Sequence, residues 1–438
     1  MHGGPHEFAH GISGFLAGYY GCAAALNGFA AIRAACRRGF LRAGMWTAIA
    51  AGFGYCAVWA ALGRPPAFSE PVKGAIDWAV GPVSFFLGSF AVMAVLFLGR
   101  RFFVIPGVAW IMLNGAVCAF GAALTDADFA AVVSAPDNVP IVAMVFLLGI
   151  FTWWGVAQAV ENDRRATQGR RPVEAEYSEK VLVWPDVIYL ELIGAILATA
   201  ALIVWSLLIP APLEGPANPA VTPNPSKAPW YFVGLQEMLV FFDPWMAGVV
   251  LPVLIIVGLC AIPYLDKNPK GNGYYTINER KIEVAGFLFG FFQLWILLIL
   301  VGTFMRGPNW TFFGPFEYRD PHKIVTLENV KLSEFVWMNL LGRSVPQPSP
   351  QSGFFARLGV IGLRESAGIG LLLGYFVGLP WVLARTLFRR YRAALGGARY
   401  WFITFLFLMM LMLPIKMLLR WTWNLSYIVS IPEWYLSF

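Results

Sequence analysis

Charge is scarce in this chain. Of its 438 residues only 13% are Asp, Glu, Lys or Arg, against about 25% in soluble domains, while 58% are hydrophobic. That balance excludes a water-soluble globular fold, and with it disordered, collagen-like and coiled-coil readings. Cysteine is also scarce. Cys22, Cys36, Cys56, Cys118 and Cys260 never form CxxC or CxxCH, which argues against a disulfide framework, a zinc site, a cysteine-ligated cluster and a self-attached haem c. Histidine is scarcer still, with His2, His6, His10 and His322. The first apolar stretch is long and is preceded by His and Glu rather than a basic region, so no removable signal peptide is expected.

Long apolar runs fill the space that charge leaves. A spanning helix needs about 20 mainly apolar residues. Ten such stretches occur near 10–32, 44–62, 75–98, 103–123, 139–160, 187–209, 246–265, 284–304, 367–385 and 400–419. The expected fold class is therefore all-α, a polytopic helical membrane protein of about ten transmembrane helices. The net charge of +7, which in a soluble protein would suggest nucleic acid, here raises the question of sidedness. Alternate loops carry 20 of the 32 basic residues, and the two sides total +10 and −3. The basic side reads as cytoplasmic, which predicts a bacterial inner membrane with both termini on the outer side.

Three outer segments are too polar or too Pro-rich to span. Residues 124–138 form an acidic connector. Residues 210–245 open with Pro210, Pro212, Pro216, Pro219, Pro223 and Pro225, a stretch that cannot be helical, followed by an amphipathic piece from Trp230 to Phe242. Residues 305–366 form the longest loop, and a loop of this length packs on something or has a task.

Some chemistry is missing. Haem b in a helical bundle needs two facing histidines, and none of the four lies in mid-span. His6 and His10 could share a helix face, but an interfacial helix start is the favoured account of them over a metal or haem ligand. A secondary transporter would show repeated halves and charges at mid-membrane. No repeat is seen, and Lys416 and Arg420 lie near the outer end of the last span, where they can snorkel. No metal site is expected.

The most informative region is 184–310. It reads Trp184-Pro185-Asp186, then Glu214-Gly215-Pro216-Ala217-Asn218-Pro219, Lys227-Ala228-Pro229-Trp230-Tyr231-Phe232 and Leu235-Gln236-Glu237-Met238-Leu239, and ends its second helix in Ile262-Pro263-Tyr264-Leu265-Asp266. This order of motifs resembles the C-terminal half of cytochrome b, the separate subunit IV of chloroplast-type cytochrome bf complexes. In that family a WP start, an EPANP-like turn, a PEWY motif and a VPFL[ED]-like helix end follow one another. The resemblance implies a three-helix unit whose first outer segment builds a quinol-oxidation pocket beside a Rieske iron–sulfur protein. It also implies that haem ligands belong to a separate cytochrome b N-terminal-type subunit, so that quinone or quinol is the ligand here while haem b and the iron–sulfur cluster sit on partners. Cytochrome c, whether single- or multihaem, is the implied acceptor, the lipid membrane is the setting, and no nucleic acid is involved.

One position departs from the family. Aligned on Trp230-Tyr231, its PEWY reads Ala228-Pro229-Trp230-Tyr231, with Pro229 in place of the Glu associated with proton transfer. Quinol oxidation releases protons, so an acceptor carboxylate is chemically useful, and Glu237 and Asp243 are the available candidates. Glu237 could equally be a solvated helix residue. Pro229, Trp230, Tyr231, Phe232 and Leu235 are the candidate quinone-binding residues, and the two aromatics could instead anchor at the interface. A literal Pro432-Glu433-Trp434-Tyr435 closes the chain; it reads as an interfacial anchor or as a tail that approaches the pocket.

The chain then divides into a five-helix scaffold (1–180), the cytochrome b-like unit (181–310), a long outer loop (311–366) and a two-helix extension (367–438). Gly11, Gly14, Gly18 and Gly21 in the scaffold suggest close helix packing. The expected function is a haem-free subunit of a bc-type quinol:cytochrome c oxidoreductase. The alternative is a non-catalytic membrane anchor that has lost the quinol site.

Overall fold

A computed structural model describes residues 11–176, 181–208, 215–216, 218–220, 222–267, 273–325 and 328–438. His6, His10 and Glu214 lie outside the described residues. The chain is 73% helical, and it is an all-α polytopic membrane protein. Nine described helices are long and apolar enough to cross a membrane, or ten if one bent pair counts as a single span.

The helices are α1 (Ser13–Cys36), α2 (Phe40–Ala61), α3 (Glu70–Ala79), α4 (Pro82–Leu98), α5 (Pro106–Ala123), α6 (Ala127–Val133), α7 (Val139–Thr167), α8 (Val183–Leu208), α9 (Trp230–Met238), α10 (Met246–Leu265), α11 (Lys281–Met305), α12 (Phe354–Arg364), α13 (Ser366–Arg385) and α14 (Gly397–Trp423). Four two- or three-residue strands pair at the end of the chain: β1 (Val330–Lys331) with β2 (Leu425–Tyr427), parallel, and β3 (Ser430–Ile431) with β4 (Leu436–Ser437), antiparallel.

The expected span 75–98 differs from the structure. Its residues divide between α3 and α4, which meet at 81°. Gly81 takes an extended conformation as N-cap, and Pro82 opens α4. Proline is suited to a first helical turn and lacks the N–H that would continue the preceding helix, so the hydropathy runs on while the helix breaks.

Two compact units form, one from Met1–Ser226, Gly273–Val284 and Phe312–Asp320, the other from Lys227–Asn272, Ala285–Thr311 and Pro321–Phe438. In the first, the acidic connector is ordered by its own charges. Asp126 caps α6 by accepting from the Asp128 and Phe129 amides at 3.1 Å each, and its other oxygen takes Lys73 Nζ at 2.8 Å. Part of the long outer loop packs here too. The Phe316 amide donates to Asp77 Oδ1 at 2.9 Å, and Gly314 passes so close that an added Cβ would lie 2.5 Å from that oxygen.

Gly11, Gly14, Gly18 and Gly21 do not act as expected, since a Cβ added to any of them meets nothing within 4 Å. The close approach is made by Gly121 of α5, where a Cβ would meet the Tyr20 hydroxyl at 2.6 Å. Asn27 joins α1 to α5 by donating to Asn114 Oδ1 at 2.6 Å and accepting from Trp110 Nε1 at 2.8 Å.

In the second unit, α9 lies on α11. Val233, Gly234, Glu237 and Met238 are its buried residues, the i, i+3, i+4 spacing of one helix face. Gly302 lets the helices meet, because a Cβ there would stand 3.0 Å from Val233 Cγ2 and 3.1 Å from the Val233 carbonyl oxygen. Leu298 and Ile299 of α11 and Leu408 and Met412 of α14 contribute to the buried core of this unit. Overpacking a tight contact costs about 1–3 kcal/mol. Gly302→Leu is therefore expected to lower the thermal midpoint of the purified protein, whereas Gly286→Leu, on the same helix with no atom within 4 Å, leaves it nearly unchanged.

Candidate functional site

The site begins with a buried charge. Glu237, in the last turn of α9, is 1% exposed, and an ionised carboxylate in such a place needs a partner and hydrogen bonds. Arg306, which follows the last residue of α11, supplies both. Its Nη2 donates to Glu237 Oε1 at 2.6 Å and its Nε to Oε2 at 2.9 Å, the two-pronged geometry that suits guanidinium to carboxylate. Trp310 Nε1 adds a third bond to Oε2 at 3.1 Å. The Trp310 carbonyl in turn accepts from Arg306 Nη1 at 2.9 Å.

The turn that delivers Trp310 is strained. Asn309 and Trp310 both have φ of +57°, a region that asparagine tolerates and a bulky indole rarely enters. Such a residue costs on the order of 1–3 kcal/mol and persists where its surroundings fix it. Here both ends of Trp310 are held by the Glu237–Arg306 pair. The approach to α9 is fixed as well. Lys227 Nζ donates to the Thr303 carbonyl at 2.7 Å, and the Ala228 amide donates to Gln236 Oε1 at 2.8 Å, which seats Pro229 as N-cap of the helix.

The aromatic residues open outward. Trp230, Tyr231 and Phe232 are exposed, and Leu235 is half-buried. Tyr231 packs on Trp295 of α11 with ring centroids 5.0 Å apart and planes tilted by 49°. The Trp295 indole N–H is buried and has no hydrogen-bond partner among the described residues. An exposed strip of three aromatic rings set edge to face, with an unpaired indole N–H buried beside it, has the character of a site for a planar molecule bearing carbonyl or hydroxyl oxygens. Asp243 lies beyond the helix end. It is half-buried, and one oxygen accepts from the Trp245 amide at 2.9 Å.

Residues 216–316 match the family model of cytochrome b (C-terminal)/b6/petD. No solved structure matches the chain. The matched cytochrome b C-terminal segment contains α9, α10, α11 and the turn that carries Arg306 and Trp310; Trp184-Pro185 falls outside it. The match supports a subunit of a cytochrome b-type electron-transport complex, an oxidoreductase of several chains that contains haem and quinone. Among the described residues no cluster of His, Cys, Asp and Glu could hold a metal ion.

Sequence reading missed Arg306, Trp310 and Trp295. Arg306 stands 69 positions from Glu237, and no local pattern links them. It also missed what holds the C-terminal Pro-Glu-Trp-Tyr. Glu433 takes Arg364 Nη1 and Nη2 at 2.7 and 2.9 Å, while Arg364 Nε donates to Glu365 at 2.9 Å and Nη2 to the Ser430 carbonyl at 3.1 Å. The Ser430 amide closes the network on Glu365 Oε2 at 3.0 Å.

Lys416 does not snorkel. It is 1% exposed, donates to the Ser426 carbonyl, and faces the rings of Phe242 and Tyr427 at 5.6 and 5.5 Å.

Two outcomes follow from these ion pairs. Removing one partner of a buried pair costs about 3–5 kcal/mol, because the other charge is left uncompensated, whereas removing both costs less. Arg306→Ala should therefore lower thermal stability more than the double variant Glu237→Ala/Arg306→Ala does, a sign that a double-mutant cycle reads directly. Glu433 titrates below the usual carboxylate range because Arg364 hydrogen-bonds its charged form. Its contribution is complete above the ordinary carboxyl pKa of about 4.3 and is lost as pH falls through the lowered value. Hydrogen exchange of the Ser430 amide, corrected for intrinsic rate, should stay slow from pH 7 to 5 and accelerate below 4; in Glu433→Gln the step should vanish.

Proposed function

We propose that this chain is the haem-free subunit of a bc-type quinol:cytochrome c oxidoreductase and that α9 forms one wall of its outer quinol-oxidation pocket. The observation that carries this is the exposed strip of Trp230, Tyr231 and Phe232, with the unpaired Trp295 N–H beside Tyr231, on a segment that matches cytochrome b. In this reading Pro229 through Leu235 hold the quinol ring. The redox groups, haem b and an iron–sulfur cluster, belong to a cytochrome b N-terminal-type partner and a Rieske protein, with a cytochrome c as acceptor. The charge asymmetry of the loops supports a site on the outer face of a bacterial cytoplasmic membrane with both termini on that side. Residues 181–310 are then the working unit, and the helices on either side are scaffold for partners.

Proton release requires an acceptor. Glu237 has both oxygens engaged, and it takes a proton only by parting from Arg306. Asp243 has one oxygen on the Trp245 amide and the other without a partner among the described residues. We assign Asp243 as the group that accepts without breaking an ion pair, and Glu237 as the group that accepts when the clamp opens.

A second reading has its own support. Pro229 removes the carboxylate at the helix start, and the nearest replacement is tied to Arg306, as in a membrane anchor that has kept the fold and lost the site.

Purification of the chain with its partners separates the two. The first reading expects haem b on another subunit and quinol oxidation sensitive to an outer-site inhibitor. Losing a proton-transfer group costs about 100-fold or more in rate. Asp243→Asn and Glu237→Gln, each checked for intact assembly, should slow turnover on that scale and flatten its pH profile. Unchanged turnover removes the residue concerned, and a complex without haem b on any subunit ends the first reading.

A further inference from the structure

The C-terminal Pro-Glu-Trp-Tyr belongs to a surface that the quinol reading leaves unused. It forms the turn of the hairpin between β3 and β4, with Tyr435 in a left-handed conformation at φ +51°, so that Trp434 and Tyr435 project from the tip. Tyr435 is 89% exposed, and Trp434 and Leu436 are exposed beside it. The Trp434 ring meets Phe354, the first residue of α12, at 6.0 Å.

Helix α12 is amphipathic in an inverted sense. Its buried residues are Ile361 and the cation Arg364, while Phe354, Leu358 and Phe355, the last 83% exposed, face out. At 100° per residue these three fall within one third of the helix circumference. A helix in water hides such a face, whereas a helix against lipid presents it; of the two cations of α12, Arg364 turns toward protein and the exposed Arg357 donates to the Pro350 carbonyl. The inversion is held by the Arg364 network. Arg364 reaches Glu433, Glu365 and Ser430, so the salt bridge that buries the charge of α12 also pins the hairpin to the same helix.

We propose that Phe354, Phe355 and Leu358 together with Trp434, Tyr435 and Leu436 lie in the headgroup layer of the membrane, as an interfacial anchor made of two segments stapled by Arg364. The bilayer is the occupant because the face is continuous with the lipid-facing surface. Only Glu365 separates α12 from the membrane-spanning α13, and β3 begins seven residues after the spanning α14 ends. Neither segment has enough chain to carry its apolar side far from the bilayer. Phe, Trp and Tyr are also the residues that favour this layer. The proposal is independent of the quinol site and of which side of the membrane the face occupies.

The test places the photoreactive amino acid p-benzoylphenylalanine at position 355, and separately at 435, in the full chain within its own membrane. Irradiation followed by mass analysis should show a gain of one phospholipid at both positions and none at Gln351, which is exposed in the preceding loop. Adducts to another polypeptide, including a second copy, or failure to capture lipid at both positions, would overturn the proposal. If the probe-bearing chains do not accumulate, the unlabelled chain in vesicles of brominated phosphatidylcholine serves. Trp434→Phe should then remove a quenched component of the tryptophan fluorescence; removal of an unquenched component has the opposite meaning.

Discussion

The ion pair between Glu237 and Arg306 governs the geometry of everything around it. Helix α9 has only nine residues, too few to be stable alone in water. Its position comes from α11, through the glycine contact at Gly302 and through a guanidinium that grips Glu237 at two points. With the 233, 234, 237, 238 face committed to α11, Phe232 and Leu235 are turned away from it, and Tyr231 lies at the edge of that face against Trp295. The aromatic strip is thus a consequence of the clamp. The strained turn at Trp310 has the same origin, because the backbone there adopts the conformation that brings an indole N–H and a carbonyl to the two halves of one ion pair.

The clamp also explains what could and could not be read from the chain. Hydropathy gave the spans, since each helix must satisfy its own backbone in lipid and does so with a run of apolar side chains. The run through 75–98 misled because apolarity is blind to the Gly81-Pro82 break, which is a backbone effect. Tyr231 and Glu237 were legible as candidates because the family motif surrounds them. Their neighbours were not, since Arg306 and Trp295 belong to α11 and its end, and contacts across that distance leave no local trace. Lys416 shows the same limit. A lysine near a helix end ordinarily reaches water, and nothing in its surroundings in sequence announces that Ser426 and Tyr427 fold back over it.

Buried charge is treated in two ways. Glu237 and Arg364 are each matched with opposite charge and further hydrogen bonds, the arrangement that makes a buried ion tolerable. Lys416 and Arg420 are matched with neutral groups. Lys416 has a carbonyl and two ring faces, and Arg420 has Asn329 Oδ1 at 2.7 Å together with the Ser426 hydroxyl. A cation near aromatic rings gains more as water is removed, so the ring faces offset part of what it costs to bury the charge. Opening it to water would weaken the ring contacts, and the segment around Ser426 is therefore bound to the helix end by the charge it covers.

The chain holds two versions of one four-residue motif, and the structure separates their chemistry. At 228–231 the aromatics are retained and the acid is gone, with proline serving only as a helix cap. At 432–435 the acid is retained, but both of its oxygens belong to Arg364, and its aromatics face outward beside α12. Glu433 thus cannot restore the missing carboxylate without giving up the staple that orients its own hairpin. The carboxylates nearest in sequence to the strip at Trp230 are those of α9 and the turn after it. There Glu237 has both oxygens held by Arg306, whereas Asp243 has one oxygen on the Trp245 amide and the other without a partner among the described residues.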